Sequence, residues 1–329
     1  MTEYAVSLSD FSIQFGDQQV VSQASLSINS GEILCLLGPS GCGKTTLLKG
    51  IAGLLPQARG NLSVQGTVMQ QASWALAPEK RNIGFIFQDY ALFPHLSVED
   101  NVGFGVKGKK EHKRSVAHKW LALVGLSEFS DRFPHQLSGG QQQRVAVARA
   151  LATQPQVLLM DEPFSNIDTQ VRMSLIQELK AMLREQGVTV VFVTHSRDEA
   201  FAFADRIAVM QDGKIVQTGE PHQVYEAPVN AYVARFLGEA NIVTDPDICE
   251  SLGLESKGES ALLLRPHQLA LEKGEQAEVI ERVFAGQYWR YKVQLMGQEM
   301  IIDSPGDGYF AVGDRVKLRI LSSAQRLAA

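Results

Sequence analysis

The chain has 329 residues, of which 45% are hydrophobic and 20% are charged, and its formal net charge is −5 at pH 7. This composition is typical of a globular protein with two domains, and the missing basic excess argues against a nucleic-acid binder or a protein held to anionic lipid by charge. The sequence has no apolar run of about 18 residues, no signal-peptide pattern and only three scattered cysteines, so we expect a cytosolic protein without a disulfide scaffold.

The first strands are predicted from apolar and polar residues that alternate between positions 6 and 28. Turn residues at Gly16-Asp17 and Ser30-Gly31 interrupt the pattern, which is typical of short antiparallel strands. The apolar run at residues 33–37 then predicts a buried strand, and a helix is predicted to begin near Thr45.

The loop between that strand and that helix fits the pattern G-x-x-x-x-G-K-[ST]. Its glycines let backbone N–H groups point inward at phosphate oxygens, and the helix N-terminus favours negative charge. Lys44 can reach the β- and γ-phosphates, and the Thr45 hydroxyl can bind Mg²⁺. A glycine-rich turn with a solvated lysine is the alternative, but strand, loop and helix in this order predict a nucleoside-triphosphate site. Its candidate residues are Gly38, Ser40, Gly41, Cys42, Gly43, Lys44, Thr45 and Thr46.

The elements that follow alternate between strands and helices. Strands are predicted at residues 83–87, 157–160, 189–193 and 207–210, and the last forms a hairpin with residues 214–218. Helices are predicted at residues 115–124, 141–152, 170–186 and 196–204. The basic run at residues 107–114 is interpreted as a solvated loop. This alternation predicts an α/β core with a largely parallel sheet.

Two polar segments lie at predicted strand and helix ends. Asp161 and Glu162 follow an apolar strand, where Asp161 is suited to hold Mg²⁺ and Glu162 to orient the attacking water. Ser138 has N-cap chemistry and precedes two glycines, which predicts a second phosphate-binding helix terminus. One nucleotide does not obviously need two such ends from one subunit, so we expect a dimer with shared sites. The alternative for Asp161 and Glu162 is a strand that ends in acidic residues without a metal site, and the alternative for Ser138 is an ordinary capped helix.

The chain resembles the ATP-binding subunits of ABC transporters, because residues 137–141, Leu-Ser-Gly-Gly-Gln, match their signature motif. The resemblance implies ATP and Mg²⁺ as cofactors and catalytic roles for Glu162, His195 and Gln88. It also implies that Gln88, the Q-loop glutamine, contacts the metal beside Thr45 and Asp161. The further residues that it implies in nucleotide binding are Phe15, against the adenine ring, and Ser138, Gly139, Gly140, Gln141 and Asp168.

In the family, two ATP molecules lie between two such subunits, and their binding and hydrolysis close and reopen the dimer. The resemblance therefore implies three partners: a second copy of the chain, integral-membrane permease subunits and, indirectly, a periplasmic solute-binding protein. It implies a peripheral position at the cytoplasmic face of the inner membrane and no nucleic-acid partner.

The sequence pattern changes near residue 240. Short strands are predicted beyond this point, at residues 262–264, 278–283, 288–295, 300–302 and 316–321. Turn residues separate them at Pro266, Gly274, Gly286, Gly297 and Pro305-Gly306. This pattern predicts a small all-β barrel or sandwich, which resembles the OB-like regulatory appendix of importer ATPases. We expect an ABC-type ATP-binding domain at 1–236, comprising a P-loop core, an antiparallel β subdomain and a helical subdomain. The β-rich regulatory (TOBE/OB-like) domain is expected at 237–329.

Two alternatives concern function. A P-loop phosphotransferase has no use for the signature motif, and ABC ATPases that act on DNA or ribosomes usually carry a coiled-coil insertion or two ATPase domains. An importer ATPase is therefore preferred. The cargo is not read from the nucleotide site; the overall pattern resembles ferric-iron importers, and polyamine, sulfate and sugar importers share nearly every motif.

Overall fold

The computed structural model describes residues 4–72, 74–255, 261–305 and 310–327. The chain divides after Pro221 into two compact units. This division lies before the predicted domain boundary at residue 236, which stays a prediction. Within the described residues, no helix is long and apolar enough to cross a membrane.

The first unit is built from two sheets and a group of helices. Its strands are β1 (Val6–Phe15), β2 (Gln18–Ile28), β3 (Ile33–Leu37), β4 (Arg59–Val64), β5 (Thr67–Gln71), β6 (Trp74–Ala75), β7 (Ile83–Ile86), β8 (Val157–Asp161), β9 (Thr189–Thr194), β10 (Arg206–Gln211) and β11 (Lys214–Gly219). Its helices are α1 (Lys44–Ile51), α2 (Val98–Gly103), α3 (Lys110–Leu123), α4 (Gly139–Ala152), α5 (Thr169–Glu185) and α6 (Arg197–Phe203).

The central sheet has the strand order β11-β10-β3-β9-β8-β7. All its pairs are parallel except the β10–β11 hairpin, so the predicted α/β core with a largely parallel sheet is confirmed. Strands β3, β8 and β9 are buried along their whole length, as expected where both faces of a parallel sheet are covered.

The second sheet is antiparallel, with the order β2-β1-β4-β5-β6. Its β1–β2 hairpin agrees with the alternation in the sequence, whereas β4, β5 and β6 were not predicted. Helix α1 buries Leu47, Leu48 and Ile51 in one core with side chains of both sheets. The helix that follows the phosphate loop is therefore anchored on the interior of the unit.

The helices α2, α3 and α4 pack against one another. The interpretation of residues 107–114 as a solvated loop is wrong in part, because Lys110 begins α3 and the helix continues to Leu123. The charged side chains of this first turn and a half face solvent while Ala117, Trp120 and Leu121 are buried. Solvation and helix formation are compatible at these positions.

The second unit is mostly β-structure. Its helices are α7 (Pro221–Glu226, which begins at the division), α8 (Ala231–Leu237) and α9 (Pro246–Ser251). Its strands are β12 (Asn241–Val243), β13 (Leu262–Leu264), β14 (Leu269–Phe284), β15 (Tyr288–Leu295), β16 (Gln298–Pro305), β17 (Arg315–Ile320) and β18 (Gln325–Arg326).

These strands form antiparallel sheets of the orders β12-β13-β18 and β16-β15-β14-β17 around one apolar core, in agreement with the small OB-like β domain. The turn predicted at Gly274 is wrong, because this residue lies inside β14. The pairing of β14 with β17 shifts register between Lys273 and Ala277, so the glycine marks an irregularity in a long strand. Of the turn predicted at Pro305-Gly306, Gly306 lies outside the described residues.

Candidate active site

Four loops follow neighbouring strands of the central sheet at one edge. In the strand order β3-β9-β8-β7, these loops carry residues 38–45, His195, Glu162 and Gln88. Parallel strands place their carboxyl ends side by side, and ligands of open α/β sheets bind outside those ends. The topology therefore brings together four segments that are distant in the sequence.

The phosphate loop owes its shape to its glycines. Gly41 and Gly43 have φ of +82° and +102°, a region that favours glycine. A Cβ on Gly43 would lie 2.6 Å from the Val20 carbonyl oxygen, and a Cβ on Gly38 would lie 2.6 Å from the Met210 carbonyl oxygen. Gly41 has no neighbour within 4 Å of such a Cβ, so the loop is open at this point.

Lys44 is held inside the loop that it follows. Its Nζ donates to the carbonyl oxygens of Gly38 at 2.8 Å and Pro39 at 2.9 Å. The side chain is almost completely buried. The loop carbonyls therefore aim a single ammonium group at the space that the loop encloses, as phosphate binding requires.

Thr45 and Asp161 join the first loop to the end of β8. The Thr45 hydroxyl donates to Asp161 Oδ1 at 2.7 Å. Burial is the main cause that raises the pKa of Asp161, and the hydrogen bond from Thr45 opposes it. A hydroxyl and a carboxylate are hard oxygen ligands, and Mg²⁺ is typically bound by one or two protein groups together with substrate phosphates. The two side chains therefore fit Mg²⁺.

Glu162 is the point where the other catalytic candidates meet. Gln88 Nε2 donates to Glu162 Oε2 at 3.2 Å, and His195 Nδ1 lies 3.3 Å from Glu162 Oε1. Glu162 has φ of +45°, which is uncommon for a non-glycine residue and is typical of functional sites. Its carboxylate is thus placed between the Gln88 amide and the His195 imidazole.

The signature segment forms a complete capping box at the start of α4. Ser138 Oγ accepts from the Gln141 N–H at 3.3 Å, and Gln141 Oε1 accepts from the Ser138 N–H at 2.9 Å. A Cβ on Gly139 would lie 2.6 Å from the Asn166 carbonyl oxygen. In the described chain no hydrogen bond joins residues 138–141 to residues 38–46, so the two predicted phosphate-binding ends are not brought together by such bonds within one subunit.

The remaining candidates are placed differently. Asp168 caps α5 by accepting from the Gln170 N–H at 2.8 Å, and its neighbour Asn166 donates to the Gln88 carbonyl oxygen at 3.0 Å. Phe15 ends β1 and is 43% exposed, which leaves a ring face available for stacking. The nucleotide-contact roles of Phe15 and Asp168 stay predictions.

One residue of this region was missed in the sequence. Arg149 of α4 donates to the carbonyl oxygens of Tyr90 at 2.8 Å and Ala91 at 2.7 Å. Tyr90 and Ala91 have φ of +61° and +45°, two consecutive non-glycine residues in the left-handed region. Arg149 thus stabilises a strained turn directly after Gln88. The only signal in the sequence was an arginine in a helix of small residues.

Two family models match parts of this chain. A family model described as ABC transporter matches residues 21–165, and one described as TOBE domain matches residues 262–327. The first match includes the phosphate loop, Gln88, the signature segment and Glu162, and it ends before His195.

Similar curated proteins carry two kinds of names. The Spermidine/putrescine import ATP-binding protein PotA of Oleidesulfovibrio alaskensis is 47% identical over 244 residues, 73% of this chain and 64% of that protein. The chain thus spans less than two thirds of the length of this relative. The Fe(3+) ions import ATP-binding protein FbpC of Fusobacterium nucleatum is 39% identical over 332 residues, 93% of this chain and 88% of that protein.

A solved structure has a similar fold. It is the dimeric post-hydrolysis state of the ATP-binding cassette MJ0796 bound to ADP and Pi, with a TM-score of 0.57 and 33% identity. The similarity covers 66% of this chain and 98% of that one.

Proposed function

The chain belongs to the ABC transporter family, and we propose that it is the ATP-hydrolysing subunit of an importer. The observation that carries this proposal is the contact of Gln88 and His195 with Glu162, beside the loop that holds Lys44. The predicted site residues enter the proposal in the roles that the sequence assigned to them, with residues 1–236 as the ATP-binding domain and residues 237–329 as the regulatory domain.

Different residues of the chain have different roles in ATP hydrolysis. Backbone N–H groups of residues 38–46 and the Lys44 ammonium bind the phosphates of ATP and neutralise their charge. Glu162 orients the attacking water and accepts its proton, and His195 and Gln88 fix the direction of the carboxylate. Thr45 and Asp161, together with Gln88, would hold Mg²⁺, which would supply charge stabilisation on the phosphate oxygens.

A second copy of the chain completes the site in this proposal. The N-terminus of α4 is capped by Ser138, the helix dipole favours an anion there, and no hydrogen bond ties this end to the chain's own phosphate loop within the described residues. Residues 138–141 and Asp168 of one copy then face the ATP bound by the other. ATP favours the closed dimer because only that state contacts the γ-phosphate from both sides.

Ser138→Arg tests the shared site. The larger side chain should leave ATP binding to a single subunit within about threefold of the wild-type value and reduce ATP turnover by at least tenfold, because the dimer cannot close. Binding is measured by equilibrium titration, and dimerisation by light scattering with the slowly hydrolysed Glu162→Gln background. Unchanged turnover in Ser138→Arg would contradict the shared site.

Ferric iron is the proposed cargo, and polyamines are the second candidate. The match to the FbpC protein over 93% of this chain supports iron. PotA proteins that match 73% of this chain at 47% identity and 91% of it at 40% identity support spermidine or putrescine equally well. Sulfate and sugars share the same motifs. We further propose permease subunits and a periplasmic solute-binding protein as partners, and a peripheral position at the cytoplasmic face of the inner membrane.

Uptake by cells distinguishes the cargoes. Cells whose only copy carries Glu162→Gln are compared with wild type for labelled ferric iron and labelled putrescine, and the exposed Glu185→Gln serves as the matched control. Loss of iron uptake alone supports ferric iron as the cargo. Loss of putrescine uptake alone would instead identify polyamines as the cargo. If both persist, neither cargo is correct.

A further inference from the structure

Arg172 contacts two segments of the catalytic unit that are distant in the sequence. From the second turn of α5, its Nη2 donates to the Ile167 carbonyl oxygen at 2.8 Å. Its Nη1 donates to Glu199 Oε1 of α6 at 3.3 Å. Ile167 directly precedes Asp168, so one end of this arginine holds the segment that the proposed dimer would place at the other subunit.

Glu199 continues the contact to the loop of His195. The carboxylate is buried, and its Oε2 accepts from the Thr194 hydroxyl at 2.6 Å. Thr194 Oγ1 in turn accepts from the Ser196 N–H at 3.0 Å, and Ser196 Oγ accepts from the Glu199 N–H at 3.4 Å. These bonds hold the two residues that flank His195, one on each side.

The two segments therefore form one continuous chain of contacts. It leads from the Ile167 carbonyl through Arg172, Glu199 and Thr194 to His195, whose Nδ1 lies 3.3 Å from Glu162 Oε1. Every member between Ile167 and Thr194 is joined by a hydrogen bond to a charged group, and such bonds have a stricter geometry and greater strength than neutral ones.

Arg172 also has capacity for a second arrangement. Its Nε and the hydroxyl of Tyr90 are both buried, and neither has a hydrogen-bond partner among the described residues. Burial raises the pKa of Tyr90 to about 12, and the charge of Arg172 opposes this rise. Tyr90 lies two residues after Gln88. Each of these buried groups keeps an unused capacity for one hydrogen bond.

We propose that Arg172 is a positioning residue for ATP hydrolysis that couples the Ile167–Asp168 segment to His195 through Glu199 and Thr194. The inference rests on the proposed function and extends it. A second copy that moves the segment at Asp168 also moves the Arg172 guanidinium, and the imidazole then changes its direction toward Glu162. Docking of the other subunit is thereby converted into alignment of the catalytic carboxylate.

The test compares steady-state hydrolysis of MgATP by the full chain and four variants. Arg172→Met removes the fork, Glu199→Gln leaves one acceptor oxygen for two donors, and the double variant removes both charges together. Arg184→Met is the matched control, because Arg184 lies on the same helix and pairs with Asp205 away from this chain of contacts. ATP affinity and the melting temperature are measured for each protein.

We expect kcat to fall roughly tenfold to hundredfold in Arg172→Met and Glu199→Gln, while KM changes by less than about threefold. The double variant should be no slower than the slower single variant, because both substitutions break one linkage. Arg184→Met should stay within about twofold of the wild type. If Arg172→Met leaves the buried Glu199 carboxylate unpaired and therefore does not fold, the kcat of Glu199→Gln is compared with that of the double variant. Neither of these two proteins contains the Glu199 charge, and equal values support the inference.

Three results would overturn the inference: an Arg172→Met protein with a wild-type kcat, losses that multiply in the double variant, or an equal loss in Arg184→Met. A wild-type chain that does not hydrolyse ATP overturns the proposed function and this inference with it. If the wild type hydrolyses ATP and Arg172→Met hydrolyses it at the same rate, only the coupling role of Arg172 is wrong.

Discussion

Alanine at Gly43 is the sharpest test of the phosphate-loop geometry, because the same loop provides a matched control. Both Gly41 and Gly43 have positive φ, +82° and +102°. An added Cβ at Gly43 would lie 2.6 Å from the Val20 carbonyl oxygen, whereas an added Cβ at Gly41 would meet nothing within 4 Å. The two substitutions therefore share the conformational penalty and differ in the collision.

The size of the difference follows from these two terms. Left-handed backbone costs a non-glycine residue about 1–2 kcal/mol, which both variants lose. An overpacked site costs about 1–3 kcal/mol more, and only Gly43→Ala has this cost. The Val20 oxygen belongs to the backbone of β2 and cannot rotate away as a flexible side chain does. We expect losses in the free energy of unfolding of about 2–5 kcal/mol for Gly43→Ala and about 1–2 kcal/mol for Gly41→Ala.

Urea denaturation followed by circular dichroism measures both values. Since the chain has two compact units, the relevant transition is the one whose midpoint rises when MgATP is added, because a ligand stabilises the unit that binds it. Equal losses in the two variants would refute the collision with Val20. A Gly43→Ala protein as stable as the wild type would refute the loop conformation itself.

Three further predictions concern single groups of the site. Glu162→Gln should bind ATP with wild-type affinity and hydrolyse it about 10²–10⁴-fold more slowly in single-turnover experiments, since the general base is lost; a wild-type rate would remove that role. Asp161→Asn should raise the free energy of unfolding at pH 7 without nucleotide, because burial raises the pKa of this carboxyl and so disfavours its charge. The gain should shrink as the pH falls through the raised pKa and the wild-type carboxyl takes up a proton, and denaturation at pH 7 and near pH 4, the ordinary pKa of an aspartate, measures it; equal gains would contradict this. Burial also raises the pKa of the Cys42 thiol, so alkylation by iodoacetamide at pH 7.5 should be slower than for an exposed cysteine, accelerate with pH and abolish ATP binding, as peptide mass spectrometry and titration measure. Full affinity after alkylation would contradict the placement of Cys42 in the loop.

The sequence predicts the strands that precede the four loops of the site to within one residue, because each strand is an apolar run. The strand before the phosphate loop, at residues 33–37, and the long strand β15, at residues 288–295, agree with their predicted bounds. Apolar runs and turn residues are local signals, and these elements depend on little else. Helix α3 shows the opposite case: its charged first turn has no apolar stripe, so the pattern gives a start at Ser115 instead of Lys110.

Strand order is what local signals cannot supply. Gln88, Glu162 and His195 meet because β7, β8 and β9 are neighbours, although α4 and α5 separate them in the chain. Alternation of strands and helices predicts a parallel sheet, but it does not predict which strands lie next to each other in that sheet. The resemblance to a family provided that information, and the residue spacing alone did not.

Arginines that donate to backbone carbonyls are a second class of feature that the sequence does not reveal, and one physical reason explains all of them. Arg81 donates to three carbonyl oxygens, two of them at the end of α1, and Arg149 and Arg172 donate to carbonyls beside Gln88 and Asp168. In the second unit, Arg265 donates to carbonyls of residues 225, 234, 238 and 239. A carboxylate partner would leave a trace in the sequence, but a carbonyl belongs to every residue, so no residue type marks the acceptor. Guanidinium groups are suited to this use because their five donors satisfy several orphan carbonyls at once and stay charged at any physiological pH. The loops of this site are therefore held by residues that composition would place on the surface, and a substitution such as Arg149→Lys, which keeps the charge, still loses the fork that holds the turn after Gln88.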